Sequence, residues 1–235
     1  MVLQHLKIKA SGADRNLLEA TRPLDTAKAR LLVFSFGTVT SGIPRNWAAT
    51  ADNPGVNLLT RLSEAHALRA AEHILGVKQP GDLVVVSLHW GSNWGYEIAA
   101  EQQRFAHTLI DRANVSIIHG HSSHHAKAIE VYHKRLILYG CGDFIKDYEG
   151  IRGYAGIRGY EEYRDDLALM HFADIEPATG NLAAFKIIPL QIRNFRLNRP
   201  SAQDIEWLQR TLQRECLGFG LGVGLDPGGR LVLSH

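Results

Sequence analysis

Residues 82–89 read DLVVVSLH, an apolar run of strand length that ends in a histidine. Three consecutive valines and the preceding QPG turn signal favour a buried β-strand over a piece of helix. The next periodic stretch, Ala100 to Arg112, places Phe105 and Leu109 on one helical face, continued by Ala113. It leads into VSIIH, Val115 to His119, a second short apolar run that also ends in histidine. Strand, helix, strand predicts two parallel strands joined by a right-handed crossover, with both carboxyl ends at one sheet edge. Neighbouring strands lie about 5 Å apart, so His89 and His119 are expected to meet at that edge. Open α/β sheets bind their ligands there.

Working outward, LLVFSF (Leu31 to Phe36) is another buried strand, and Arg61 to Leu75 is a helix carrying Leu62, Ala65, Leu68 and Leu75. Between them GTVTSGIPRNWAATADNPGVN is long and rich in Gly, Pro and Asn, which points to a site-forming or covering loop. Upstream, Leu6 to Ser11 reads as a short strand and Asp14 to Thr21 as a helical piece. Downstream the rhythm changes. Ala128 to Gly140 reads as two strands around a turn at His133 to Arg135, and Leu167 to Ile175 pairs with Leu182 to Ile192 around PATGN. A helix, Ala202 to Cys216, precedes a glycine-rich tail with a DPGG turn. The predicted class is α/β with mixed sheets. GIRGYA, starting at Gly150, is followed at once by GIRGYE, a duplication too short for a repeat architecture and expected to form an exposed loop.

The 235 residues suit one large domain or a domain with an appendage, and 45% hydrophobic content is enough for a sizeable core. A net charge of +2 gives no electrostatic case for nucleic acid or a membrane surface. No apolar run approaches the roughly 20 residues needed to span a bilayer, and the opening MVLQHLKIKASGADR lacks the apolar core of a signal peptide. Location is otherwise unknown, with the cytoplasm as the default. Cys141 and Cys216 are far apart and read as ordinary thiols.

The histidines carry the chemistry. His89 opens HWG, and HGHSSHH (119–125) supplies His119, His121, His124 and His125. Imidazole is the commonest side-chain ligand for zinc and similar ions, and Gly91 and Gly120 allow sharp turns beside it. The grouping points to a divalent ion (Zn, Mn or Fe) held by His89, His119, His121 and His124; a polar surface loop is the competing reading. His125 is the weakest member. His5, His66, His73, His107, His133 and His171 receive no role.

The run VVVSLHWGSNWGYE, together with EQQRFAHTLIDRANVSIIHGHSSHHAKAIEVYHKRLILYGCGDFIKDYEGI, resembles the bacterial capsule synthesis CapA family, associated with poly-γ-glutamate biosynthesis. That family is similar to the calcineurin-like metallophosphoesterases, which implies an α-β-β-α sandwich. Its HWG motif matches His89, and its GH-x-x-H motif matches His121 and His124, with His119 as an additional histidine. The family's Glu after HWG corresponds to Glu97, and GCGDF carries Asp143 where the broader family often has Asn. The resemblance covers about Leu6 to Asn198, so residues 1–198 are expected to be the later part of a CapA-like domain and 199–235 a C-terminal helix and tail. The family's early Gly-Asp, Asn-Leu-Glu and Asn-His motifs are not found, so the resemblance implies an N-terminally incomplete domain.

Two-metal hydrolysis requires a bridging carboxylate between cations about 4 Å apart. Without those motifs the implied site holds at most one ion. The resemblance implies His89, His121 and His124 as ligands, His119 as a further ligand or acid, and His124, Glu97 and Asp143 as the catalytic group. Asp147 is another carboxylate within reach of the motif loops; all three acids have simpler roles in turns and solvation. Arg152, Arg158 and Lys127 would meet the carboxylates of an anionic polymer, poly-γ-glutamate or a relative. Capsule-machinery proteins and a second copy of the chain are the implied protein partners. A non-catalytic metal-binding or interaction domain and a generic metallophosphoesterase are the alternatives. Deleting one six-residue GIRGYA copy is expected to change stability by about 1 kcal/mol or less in urea denaturation, because exposed loops absorb length changes at small entropic cost.

Overall fold

The computed structural model describes residues 7–10, 17–21, 30–146 and 159–234. Its first sheet contains β1 (Lys7–Ala10), β2 (Leu17–Thr21), β3 (Leu31–Thr38), β4 (Leu58–Leu59), β5 (Leu83–His89), β6 (Ile117–His121), β7 (Ile129–Tyr132) and β8 (Arg135–Leu138). The order across it is β1-β2-β3-β5-β6-β8-β7, with β4 paired to β3. β3, β5, β6 and β8 run parallel, as the alternation of apolar strand and amphipathic helix requires. The crossovers contain α1 (Glu64–Val77) and α2 (Ala100–Ala113). β7 and β8 form a hairpin whose turn residues His133 and Lys134 have φ of 47° and 62°, the left-handed pair of a type I′ turn.

Residues 17–21 overturn the expectation of a helix over Asp14 to Thr21. They form β2, antiparallel to both β1 and β3, with Leu17 opposite Phe34. Five residues are too few for periodicity to separate helix from strand, and the edge of β3 supplies ladder hydrogen bonds that an isolated helical turn lacks. The strand expected over Val115 to His119 starts at Ile117 and runs to His121. His119 therefore stands inside a strand, not at its end.

The first sheet packs on two cores, one on each face. Val84, Val86, Leu88 and Ile118 point to the side where α1 contributes Ala67, Ala70 and Ile74 and α2 contributes Phe105 and Leu109. Alanines on the buried face of α1 let the two helices approach closely. On the other side, Ile129, Leu136 and Leu138 pack with Leu167, Leu169, Phe185 and Ile187 of the second sheet. That sheet is antiparallel throughout: β9 (Leu167–Ile175), β10 (Leu182–Arg193), β11 (Arg196–Asn198), β12 (Gly222–Leu225) and β13 (Leu231–Ser234). α3 (Ala202–Leu217) starts with a capping box, Ser201 with Asp204, and lies against β7 and β12. Its Cys216 is fully buried and accepts the Ile129 amide at 3.3 Å, so it ties α3 to β7. Cys141 and Cys216 are both free thiols.

The segment read as a helix and tail thus supplies two strands to the second sheet, β13 pairing with β10. Arg152, Arg158, Asp147 and most of the GIRGYA duplication lie outside the described residues. Among the described residues no helix is long and apolar enough to cross a membrane.

The start of β3 and β5 is held by Arg30 and Asp82. The guanidinium Nε donates to Asp82 Oδ1 at 2.9 Å and Nη2 to Oδ2 at 2.5 Å, while the Gln79 amide donates to Oδ2 at 2.7 Å. Burial alone would raise the Asp82 carboxyl, but Arg30, the Gln79 amide and Lys78 together hold it below the usual carboxylate range. A depressed acid contributes stability above its unfolded value, and that contribution disappears as pH falls through the folded value. Asp82→Asn is expected to cost about 2 to 3 kcal/mol at pH 7, less than for a fully buried pair because Arg30 is partly exposed. In urea titrations the difference from wild type should shrink below about pH 4.

Candidate functional site

Period-two alternation and parallel register together assemble the site. β5 and β6 pair Ser87 with His119 and His89 with His121, so these four side chains share one face. It is the face turned away from α1 and α2. The His89 and His121 Nδ1 atoms are 3.1 Å apart. His121 Nε2 lies 3.1 Å from Ser87 Oγ, and the same hydroxyl lies 3.3 Å from His119 Nδ1. Ser87 therefore bridges two imidazoles, and the His119 ring also lies beside His121, with centroids 5.4 Å apart. β3 places Gly37 next to His89, where a Cβ would come within 2.3 Å of the Ile43 side chain.

Behind the pair, Gly120 allows the close packing. A Cβ on it would come within 2.5 Å of both Leu138 O and the Trp90 indole nitrogen. The buried Trp90 lies over this glycine and donates to Tyr139 O at 3.0 Å. Ser122, which follows His121, has φ of 126°, an uncommon backbone state held by its hydroxyl donating to Gly91 O at 3.2 Å.

Burial, with a smaller contribution from His124, holds His89 below the ordinary imidazole range. Burial and then the neighbouring His119 and His89 take His121 down to about 4. Burial also lowers His119. At neutral pH the cluster is uncharged and presents lone pairs.

His124 has different partners. Its Nδ1 is 3.0 Å from Asp143 Oδ2, and Trp94 lies beside it with ring centroids 5.2 Å apart. Asp143 is also 3.9 Å from the ammonium of Lys146, which forms a buried ion pair with Asp165. His125 is buried among Trp94, Tyr96 and Tyr163 and donates from Nδ1 to Ala126 O at 3.0 Å. Glu97 is exposed, and its backbone oxygen accepts the ammonium of Lys127 at 2.9 Å. Lys127 itself is 5% exposed, so that ammonium is directed into the protein.

Two nitrogens that share one tetrahedral zinc ion stand roughly 3.3 Å apart, given Zn–N bonds near 2.0 Å. The His89–His121 pair fits that spacing. Among the described residues, however, no three His, Cys, Asp or Glu side chains are grouped to hold an ion. The described residues thus offer two converging donors, and neither the His124–Asp143 pair nor His119 completes a ligand set with them.

Two further residues stand beside these histidines. Ser87 was legible, since it lies two positions before His89 on the same strand face. His171 was not, because it comes from β9, opposite Ile187 in β10. Burial, and then the charge of His119, lowers His171 to about 4. Only the stacking of the second sheet on the first brings them within electrostatic reach.

The family described as bacterial capsule synthesis protein PGA_cap matches residues 1–148. A probable polyglutamine synthesis accessory protein of Mycobacterium tuberculosis is 43% identical over 224 residues, covering 94% of this chain and 57% of the relative. The chain therefore spans somewhat more than half the length of that curated relative. PGA biosynthesis protein CapA of Bacillus subtilis is 28% identical over 142 residues, covering 58% of this chain and 34% of that protein. Capsule biosynthesis protein CapA of Bacillus anthracis is 36% identical over 70 residues, 30% of this chain and 17% of that protein.

Because His171 is held near 4 when folded, against about 6.5 when unfolded, only the unfolded chain takes up this proton between those values. Stability should fall as pH drops through that window. His171→Gln is expected to lose less stability than wild type between pH 7 and pH 5 in urea denaturation. Equal losses would show that this histidine does not contribute to the pH dependence.

Proposed function

Since the chain belongs to the PGA_cap family of bacterial capsule synthesis proteins, we propose that it serves the assembly or processing of poly-γ-glutamate or a related anionic capsule polymer. The observation that supports a chemical role is the neutral His89–His121 pair, with facing nitrogens 3.1 Å apart at the carboxyl edge of β5 and β6. In this reading His89 and His121 hold a divalent ion (Zn, Mn or Fe), with further donors supplied from outside this pair. Such an ion supplies Lewis acidity toward a carbonyl or phosphoryl oxygen.

The chain's own residues then have distinct tasks. Ser87 accepts the Nε2 proton of His121, which turns the Nδ1 lone pair outward, and passes its own hydroxyl proton toward His119 Nδ1. Asp143 holds the His124 proton at Nδ1 and fixes the ring beside Trp94. This positions His124 for proton transfer, with Asp143 as its orienting partner. Lys127 serves the backbone at Glu97 and is not assigned to the polymer.

The second reading is a non-catalytic interaction domain, favoured by the lack of a third grouped ligand among the described residues. Metal titration separates the two. Wild type is expected to bind about one divalent ion per chain, His121→Ala to lose it, and Ser87→Ala to bind about 10- to 100-fold more weakly. Failure of wild type to bind zinc, manganese or iron would leave the interaction-domain reading standing.

A further inference from the structure

On the α1 side of the first sheet, away from the histidine face, lies a groove of about 590 Å3. Residues 48–51 and 56–59 form one wall, the first part of α1 the other, and Phe36 the floor. The loop wall is tightly built. Ala49 N donates to Val56 O at 2.9 Å, Val56 N to Trp47 O at 2.8 Å, and Thr50 N to Asn53 O at 2.9 Å. Gly55 closes it, since a Cβ there would come within 2.4 Å of Trp47 O. β4 then fastens the end of the loop to β3 in parallel register. At the other end Thr38 and Ser41 donate to the His89 carbonyl at 3.1 and 3.0 Å, so groove wall and histidine pair are anchored at one sheet edge.

The opposite wall carries His66, Arg69 and His73, spaced three and four residues apart on one face of α1. Among the described residues no carboxylate lines the groove. Among the described residues Arg69 makes no ion pair or hydrogen bond, although it is exposed and charged at every physiological pH. His66 is fixed between Ser63 Oγ at 2.7 Å and Thr60 Oγ1 at 3.2 Å. Burial, followed by the charges of Arg69 and Arg61, keeps its imidazole below the usual range, as a positive local field would. Ala48, Ala51, Val56 and Leu58 supply short apolar surfaces, with Thr50 and Asn57 as polar points between them.

We infer that this groove binds a carboxylate-bearing ligand with a short methylene stem, its carboxylate on the Arg69 guanidinium. On the function proposed above, that ligand is a segment of γ-linked glutamate. One guanidinium offers a planar fork that matches a single carboxylate. A phosphate dianion would call for more positive charge than one arginine provides. The apolar walls suit the methylenes between successive carboxylates, and Thr50 and Asn57 suit the intervening amides.

The test uses the full chain and isothermal titration with three probes: glutarate, a γ-linked glutamate oligomer and inorganic phosphate. Arg69→Gln should weaken glutarate and oligomer binding about tenfold or more, and Arg69→Lys, which keeps charge without the fork, should restore part of it. Arg69-dependent binding of glutarate without the oligomer would support the groove and overturn the polymer assignment. Equal affinity for both carboxylate probes in wild type and Arg69→Gln would overturn the groove, as would absence of binding. Phosphate binding as tightly as either carboxylate would overturn it in favour of an unselective anion site. His121→Ala should leave binding in the groove unchanged, which keeps its result independent of metal titration at the histidine pair.

Discussion

The parallel register of β5 against β6 is the constraint on which the site depends. It sets His89 opposite His121 and Ser87 opposite His119, and alternation sends all four to one face. A slip of one residue would turn His121 toward the helices and bring Gly120 out, because side chains alternate with period two. The register is held from both directions. At the amino edge Arg30 and Asp82 tie the start of β3 to the start of β5. At the carboxyl edge the buried Trp90, bonded to Tyr139 O above Gly120, leaves no room for a side chain in that place.

Much of this was legible before the structure. Long apolar runs ending in histidine, separated by an amphipathic helix, specified parallel neighbours, and β3, α1, β5, α2 and β6 all lie where periodicity put them to within a few residues. The later hairpins were equally readable, since each pairs an alternating run with a turn-forming sequence. Local pattern failed where local energy is ambiguous. LLEAT has no strong preference of its own and becomes a strand because β3 has an edge to offer. It also failed where contact is long-range. His171 looks like an ordinary histidine in a hairpin until β9 is laid across β6. His124 belongs to the same short sequence as His121, yet one strained residue, Ser122, and the pull of Asp143 give it different partners.

Charge is distributed unevenly over the molecule. Burial holds the imidazoles of the histidine face below their ordinary range, so they are neutral at pH 7. The α1 groove, on the opposite side of the same sheet, keeps a permanently charged arginine and, among the described residues, no acid. The Lys146–Asp165 pair is sealed in the interior and supports Asp143 from behind. In the reading proposed above, attraction for cations and attraction for anions fall on opposite faces of one sheet, with the loop from Thr38 to Asn57 anchored beside both.

The position of β13 has a consequence for vectorial synthesis. Among the described residues it follows every other strand, yet it is interior to the second sheet, between β10 and β12, with Val232 opposite Lys186. All the strands that carry His89, His119 and His121 have left the ribosome well before it. The second sheet cannot close until its final strand arrives, and contacts so distant in sequence form slowly. Until then β10 has an open edge where β13 will pair, a place for another nascent chain to attach. The histidine face is thus made early, and the sheet that brings His171 beside it is completed later along the chain.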